Sequence, residues 1–290
     1  MPVVRIDKAD IAFEEAGEGA AIVFSHAGIA YRRMWDGPFT ALAADHRVIR
    51  YDWRGYGDSD PARGDYAHHE DLLGLLDALG VQDGVLVGCS MGGGYALQAA
   101  LEAPERVAGL VLISSGVLGH AWPHEWQQQV REELLAAVPE TRLRAYAAGT
   151  ATQILSEDIH AMAEVQARIM VAGPRRTAAD VDAVVWDQAL VMLERIFERE
   201  WSEHPVPERV PALLASDRLV EISAPTLVIN GLEDVPAIQA VSDLLSEGIP
   251  GAQRLDLADT GHLPPLERPQ QVTRAIQDFL AEPANVPASP

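Results

Sequence analysis

Between Val85 and Gly94 the chain reads Val-Leu-Val-Gly-Cys-Ser-Met-Gly-Gly-Gly, an apolar run that ends in Gly88-Cys89-Ser90-Met91-Gly92. This spacing predicts a buried strand that turns sharply into a helix, with Ser90 at the apex. A turn that tight leaves no room for side chains flanking the serine, which accounts for glycine at 88 and 92. The strained backbone lifts the serine Oγ above the sheet, where a base can reach it. Tyr95 to Ala103 reads as the helix that follows. A dinucleotide-binding loop is a poor alternative, because G-x-G-x-x-G needs glycine where Ser90 stands.

A nucleophilic serine needs a base, a carboxylate to orient that base, and donors for an oxyanion. Of the nine histidines, only His262 combines a late position, a preceding apolar strand and a turn glycine. Gln253 to Leu257 reads as that strand, and His262 lies on the loop that leaves it. Upstream, Pro225 to Asn230 reads as another buried strand and runs into Gly231-Leu232-Glu233-Asp234. Asp234 is the favoured acid, Glu233 stands next, and Asp256 and Asp259 are further candidates. The order Ser90, Asp234, His262 is the nucleophile–acid–base order of one fold in particular.

On these residues the chain resembles the α/β-hydrolase family over nearly its whole length. Ile22 to Gly28 is similar to the strand and His-Gly segment that supplies one oxyanion donor in that family. Asp52-Trp53-Arg54-Gly55-Tyr56-Gly57-Asp58-Ser59 resembles its D-x-R-G-x-G-x-S loop, and Gly261 to Pro269 its G-H-x-x-x-x-E-x-P ending. The sequence departs from the family at His26-Ala27-Gly28, where His-Gly is usual. The resemblance implies an oxyanion hole made by the backbone N–H groups of Met91 and Gly28, with Ala27 as second choice. It also implies acyl transfer through Ser90, His262 and Asp234, with neither a metal nor an organic cofactor required. The strand Val107 to Ile113 ends in Ser114-Ser115-Gly116 without a carboxylate, which favours Asp234 over an acid placed there.

Other groups have plainer readings. His26 is expected to fix its own loop through backbone hydrogen bonds, and Asp52 and Arg54 to hold the neighbouring loop. His68-His69-Glu70-Asp71 is expected to be a solvated helix start, since adjacent histidines on a helix point apart. Cys89, the one cysteine, is expected to pack beneath the turn.

The expected fold class is α/β, a mostly parallel central sheet flanked by helices, with an inserted helical cap. Residues 1–116 and 221–282 form the core, 117–220 the cap, and 283–290 a disordered tail. Strands are expected at Val3 to Ile6, Ile11 to Glu15, Ala21 to Ser25, Val48 to Tyr51, Val85 to Cys89 and Val107 to Ile113. Leu72, Leu75, Leu76 and Leu79 make one apolar face on a helix from His69 to Leu79. Within 117–220 helices are expected at Glu125 to Val138 and Ser156 to Val171. Thr177-Ala178-Ala179-Asp180 resembles a capping box that opens a third, running toward Trp201. A final helix spans about Gln270 to Leu280. Ligands of such a sheet bind at the carboxyl ends of its strands, which Ser90, Asp234 and His262 all follow.

At 290 residues and 48% hydrophobic, the chain can bury one large core and an inserted unit. A net charge of −21 argues against nucleic acid as a partner, because phosphates would be repelled. The first residues lack the apolar stretch of a signal peptide, and no run of about 18 apolar residues would span a membrane. The expected location is the cytoplasm and the expected partner a small-molecule substrate, with a homo-oligomer left open. Arg32, Arg33 and Trp35 follow the oxyanion loop and are candidates for a pocket mouth. Trp122, Trp126 and Trp186, with Met162, Met170, Met192, Phe197 and Trp201, are candidates to line an apolar pocket. For any single one, packing within the cap is the better expectation. The resemblance is compatible with carboxylesterases, lactonases, enol-lactone hydrolases and carbon–carbon bond hydrolases, with an acyltransferase or a non-turnover receptor as further alternatives. A serine in place of aspartate argues against the haloalkane and epoxide branches.

Overall fold

Short apolar and β-branched runs give strands β1 (Val3–Ile6), β2 (Ala9–Ala16), β3 (Ala21–Ser25) and β4 (Arg47–Tyr51) in the first part of the chain. They are joined by β5 (Gly84–Cys89), β6 (Val107–Ile113), β7 (Thr226–Gly231) and β8 (Gln253–Leu257). The computed structural model describes residues 2–282, so the expected tail at 283–290 lies outside the described residues. The strands form one eight-stranded sheet in the order β1-β2-β4-β3-β5-β6-β7-β8. The first two pairings, β1 with β2 and β2 with β4, are antiparallel. All later pairings are parallel.

Apart from the exposed edge strand β8, the parallel strands are covered on both faces, and this dictates their mostly apolar sequences. Ile22, Phe24, Val85, Val87, Val111, Ile113, Leu227 and Ile229 point to one side. Val23, Leu86, Leu110, Leu112 and Val228 point to the other. Helices α1 (Asp36–Leu42), α2 (His68–Ala78) and α3 (Met91–Glu102) come from the first half. The first-named face packs Leu42 of α1; the second packs Leu72, Leu75 and Leu76 of α2 and Leu97 of α3. Leu79, expected on that stripe, is half-buried just past the end of α2.

Between β6 and β7 the described chain contains helices and turns only. It holds α4 (His124–Ala137), α5 (Glu140–Ala147), α6 (Ser156–Gln166) and α7 (Ala183–Glu203). The single helix expected over Ser156 to Val171 is instead α6 continued by a wider π-helical turn, Ala167–Ala172. The capping box at Thr177 forms, yet it closes a one-turn 3-10 segment, Ala178–Asp180. Val181 is extended, and the long helix begins afresh at Ala183, capped by Asp182 through its bond from the Val184 N–H. Thr177 and Asp180 use each other's groups, so neither is left to start α7. After β7 come α8 (Pro236–Gly248), α9 (Pro264–Glu267) and α10 (Pro269–Ala281), the last with Val272, Ile276 and Phe279 in the core beside α1. Among the described residues no helix is long and apolar enough to cross a membrane.

Candidate active site

β5 delivers Ser90 directly into α3. Its φ of 54° and ψ of −124° lie where few side chains settle. A Cβ at Gly88 would fall 2.4 Å from the Gly92 carbonyl oxygen, and one at Gly92 only 2.3 Å from that of His26. Both glycines are therefore imposed by the turn. Met91 is the first residue of α3, and its N–H belongs to the set a helix leaves without an internal acceptor.

β7 and β8 bring the other two groups. Asp234 and His262 are wholly buried, at 0% and 1% exposure. His262 Nδ1 lies 2.7 Å from Asp234 Oδ2, and His262 Nε2 lies 2.8 Å from Ser90 Oγ. Asp234 Oδ1 accepts the N–H of Val235 at 2.7 Å, so both carboxylate oxygens have a donor. With a carboxylate against Nδ1, the neutral imidazole carries its proton there and leaves Nε2 to accept from the serine. The rival acids face elsewhere. Glu233 pairs with Arg175, Asp256 accepts from Asn230 and Arg254, and Asp259 is exposed.

The loop after β3 lies alongside. The Ala27 N–H donates to Met34 Sδ at 3.2 Å, which commits it to the loop. The N–H of Gly28 has no acceptor among the described residues, and a Cβ on Gly28 would fall 2.7 Å from Met91 Sδ. Gly28 and Met91 are thus the adjacent pair with N–H groups to spare.

His26 anchors this loop. It stacks on Trp53 with centroids 3.9 Å apart, donates from Nδ1 to the Ala27 carbonyl, and accepts the Trp53 N–H at Nε2. Burial pushes its pKa down to about 3, so the ring is neutral. Asp52 accepts the backbone N–H groups of Arg32 and Asp58 at 2.8 Å each, and Arg54 grips Asp71 through two 2.7 Å bonds. Cys89 packs beneath the turn with its thiol 3.7 Å from the His262 carbonyl oxygen. Burial, and secondarily the charge of Asp234, raises its pKa, so the thiol stays protonated.

Several expectations are corrected. Arg32 is buried, with its guanidinium engaged by Glu14, Asp52 and Asp58, and with Arg33 it borders a cavity of about 500 Å³ facing α7 rather than standing free. Trp35 is wholly buried against Phe24, centroids 4.9 Å apart, and belongs to the core. Trp186 packs half-buried onto the same core cluster. His68 and His69 do not form a solvated helix start: both are buried, His68 among Trp53, Tyr66 and Tyr95, and His69 3.2 Å from Glu102. Trp122 and Trp126 stack on each other and pack against Met170 and Val235, on the acid–histidine side of the site.

A further group was not legible in the sequence. Arg176, just beyond the π-helical turn, donates to the carbonyls of Val171, Ala172 and Asp259 and to Glu267 at 2.9 Å. The other oxygen of Glu267 accepts the Gly261 N–H at 2.8 Å, and the His262 N–H reaches the Met170 carbonyl at 3.3 Å. The helical insertion is thereby bound to the loop that carries His262. The glutamate of the G-H-x-x-x-x-E-x-P ending hinted at half of this link; nothing local pointed to Arg176.

The doubly covered parallel sheet, the serine turn and the two strand-end loops define a class. This chain belongs to the α/β-hydrolase fold family, whose sequence profile matches residues 20–269. Among individual proteins, it is similar to a chain of Azorhizobium caulinodans provisionally named carbamate hydrolase RutD, 28% identical over 286 residues, 97% of this chain and 99% of that one. It is also similar to the 2-hydroxymuconate semialdehyde hydrolase of Pseudomonas putida, 32% identical over 244 residues, 81% of this chain and 77% of that enzyme. A solved structure of Est816, described as an N-acyl homoserine lactone degrading enzyme, superposes with a TM-score of 0.70 at 30% identity, covering 96% and 100% of the two chains.

Proposed function

We propose that this chain is a cofactor-independent serine hydrolase that cleaves an ester or lactone of a small, largely apolar substrate through an acyl-enzyme. The observation that carries this reading is the unbroken line from Ser90 Oγ through His262 to Asp234, at 2.8 and 2.7 Å. His262 takes the serine proton at Nε2 as Oγ attacks the carbonyl carbon. Asp234 holds the tautomer and stabilises the imidazolium. The N–H groups of Gly28 and Met91 receive the oxyanion, each such donor contributing about 3 kcal/mol to the transition state. His262 then protonates the leaving oxygen, and water, deprotonated by the same ring, releases the acid. The helical segment 117–220 acts as the cap over this site.

The similarity to a lactone-degrading enzyme favours a lactone or ester. The Pseudomonas relative supports a second reading, carbon–carbon bond hydrolysis. Its named substrate carries a carboxylate, however, and here Arg32 is already held by three carboxylates. Intact-mass labelling with a fluorophosphonate tests the nucleophile: one adduct is expected on the wild type and none on Ser90→Ala. The variant should also lose at least about 10³-fold in turnover. A labelled or fully active Ser90→Ala protein overturns the reading. A panel of esters, lactones and vinylogous diketones, run with and without added alcohol, separates hydrolysis from carbon–carbon cleavage and from acyl transfer. Labelling without turnover, with product retained, would identify a receptor.

A further inference from the structure

Met91 stands apart from the other methionines. Met34, Met162, Met170 and Met192 are buried, at 5% exposure or less, whereas Met91 is 42% exposed. Its side chain opens onto a cavity of about 340 Å³ between α7 and the core, with Tyr56, His68 and Tyr95 in the same wall. A thioether in that position is open to a small peroxide. Cys89, on the other side of the nucleophile, is wholly buried, and burial keeps its thiol protonated and unreactive.

The place of the sulfur gives its oxidation a consequence. A Cβ on Gly28 would fall 2.7 Å from Met91 Sδ and 4.0 Å from the Tyr56 hydroxyl oxygen. The thioether is therefore packed against Gly28, whose N–H has no acceptor among the described residues. The Tyr56 hydroxyl, on the far side of the same point, also makes no hydrogen bond among the described residues. A thioether is a weak acceptor, so it leaves both donors free. One oxygen added to Sδ turns it into a polar group with a strong acceptor beside them. The N–H of Gly28 would then be taken before a substrate arrives, and the oxyanion would form without it.

We infer that Met91 is a modification site at which a hydroperoxide switches the hydrolase off, the sulfoxide oxygen occupying the Gly28 donor. The inference rests on the serine-hydrolase reading and adds a reversible regulation of the same site. In the step the sulfur lone pair forms an S–O bond as the O–O bond of hydrogen peroxide breaks. The thioether is oxidised by two electrons, and the peroxide proton passes to the leaving oxygen, which departs as water. Wild type, Met91→Leu and Cys89→Ala are treated with hydrogen peroxide, and ester turnover and fluorophosphonate labelling are read against the same protein untreated. Peptide mass mapping follows the added oxygen at each methionine. Wild-type kcat should fall in step with Met91 sulfoxide, by about 10²-fold when conversion is complete. Met91→Leu keeps the backbone N–H and lacks the sulfur, so it should hold its own starting rate; Cys89→Ala should be inactivated as the wild type is. Reductases for both sulfoxide epimers should restore wild-type activity as the added oxygen is lost, a readout that needs no variant. Full turnover at complete Met91 sulfoxide, or oxidation of the buried methionines ahead of Met91, overturns the inference. Equal inactivation of Met91→Leu, or protection of Cys89→Ala, overturns it as well. Untreated wild type that takes no fluorophosphonate adduct would instead refute the hydrolase reading, and the switch with it.

Discussion

Ser90 is held at a positive φ because its two neighbours cannot move. The Gly92 Cα sits against the carbonyls of Ser25 and His26, and the Gly88 Cα against the backbone of Gly92 and Gly93. Strain of this kind costs about 1–3 kcal/mol and persists only where packing imposes it. Gly92→Ala would push a methyl into the 2.3 Å space before the His26 carbonyl. The expected result is a lower urea midpoint and at least about a 10²-fold loss of fluorophosphonate labelling rate, because the displaced loop also carries the proposed Gly28 donor. Unchanged labelling would show that the turn tolerates a side chain. The same scale shows why one carboxylate among four neighbours serves His262. Glu233 and Asp234 are adjacent, yet the chain turns so that one meets Arg175 and the other enters the core.

At the scale of elements, the insertion between β6 and β7 is bound to the core by an apolar face and by a set of arginines. Arg199 of α7 donates to the carbonyls of Gly57 and Ser59, while Arg176 grips Asp259 and Glu267 around the histidine loop. Glu267 is buried, and desolvation raises its carboxyl against the opposing pull of Arg176. Arg176→Ala would leave that carboxylate without its cation, a change that costs about 3–5 kcal/mol for a buried pair. Because the link positions the His262 loop, kcat should fall more than KM rises, and amide exchange over 259–263 should accelerate. Loss of stability with intact kcat and unchanged exchange would reduce the link to a purely structural one.

For the whole molecule, two buried neutral imidazoles set the response to acid. His26 and His68 both have pKa values pushed down to about 3 by burial, against an ordinary value of 6.5. Above pH 6.5 neither affects stability. Between pH 6.5 and 3 the unfolded chain binds protons that the folded chain refuses, so stability falls as the pH falls. The slope is about 1.4 kcal/mol per pH unit for each histidine. Urea midpoints measured from pH 7.5 to 5 should drop for the wild type and drop less for His68→Gln. Parallel curves for the two proteins would show that His68 takes up its proton while folded. The net charge of −21 acts at this scale too, since self-repulsion makes the compact state more stable as added salt screens it.

What the sequence by itself determined were the features written into short stretches of backbone. The strand-to-helix turn at Ser90 demands glycine on both sides, parallel strands buried on two faces demand continuous apolar runs, and the chain order of serine, acid and histidine follows from the strand-end loops. Even the spare backbone N–H of Gly28, the proposed second oxyanion donor, lies in the segment His26-Ala27-Gly28 that the sequence singled out. Tertiary structure alone decided how the long polar side chains were shared out. Arg32 looked available for a substrate and is surrounded by three carboxylates from two separate segments; His68 looked solvated and is enclosed by aromatic rings. Arg176 is 91 residues from the glutamate it holds, and the capping box at Thr177 closes a different turn from the helix it seemed to open. Backbone geometry constrains residue type locally, so it leaves a mark in sequence. A flexible charged side chain takes whichever partner the fold brings within reach, and that partner leaves no mark nearby.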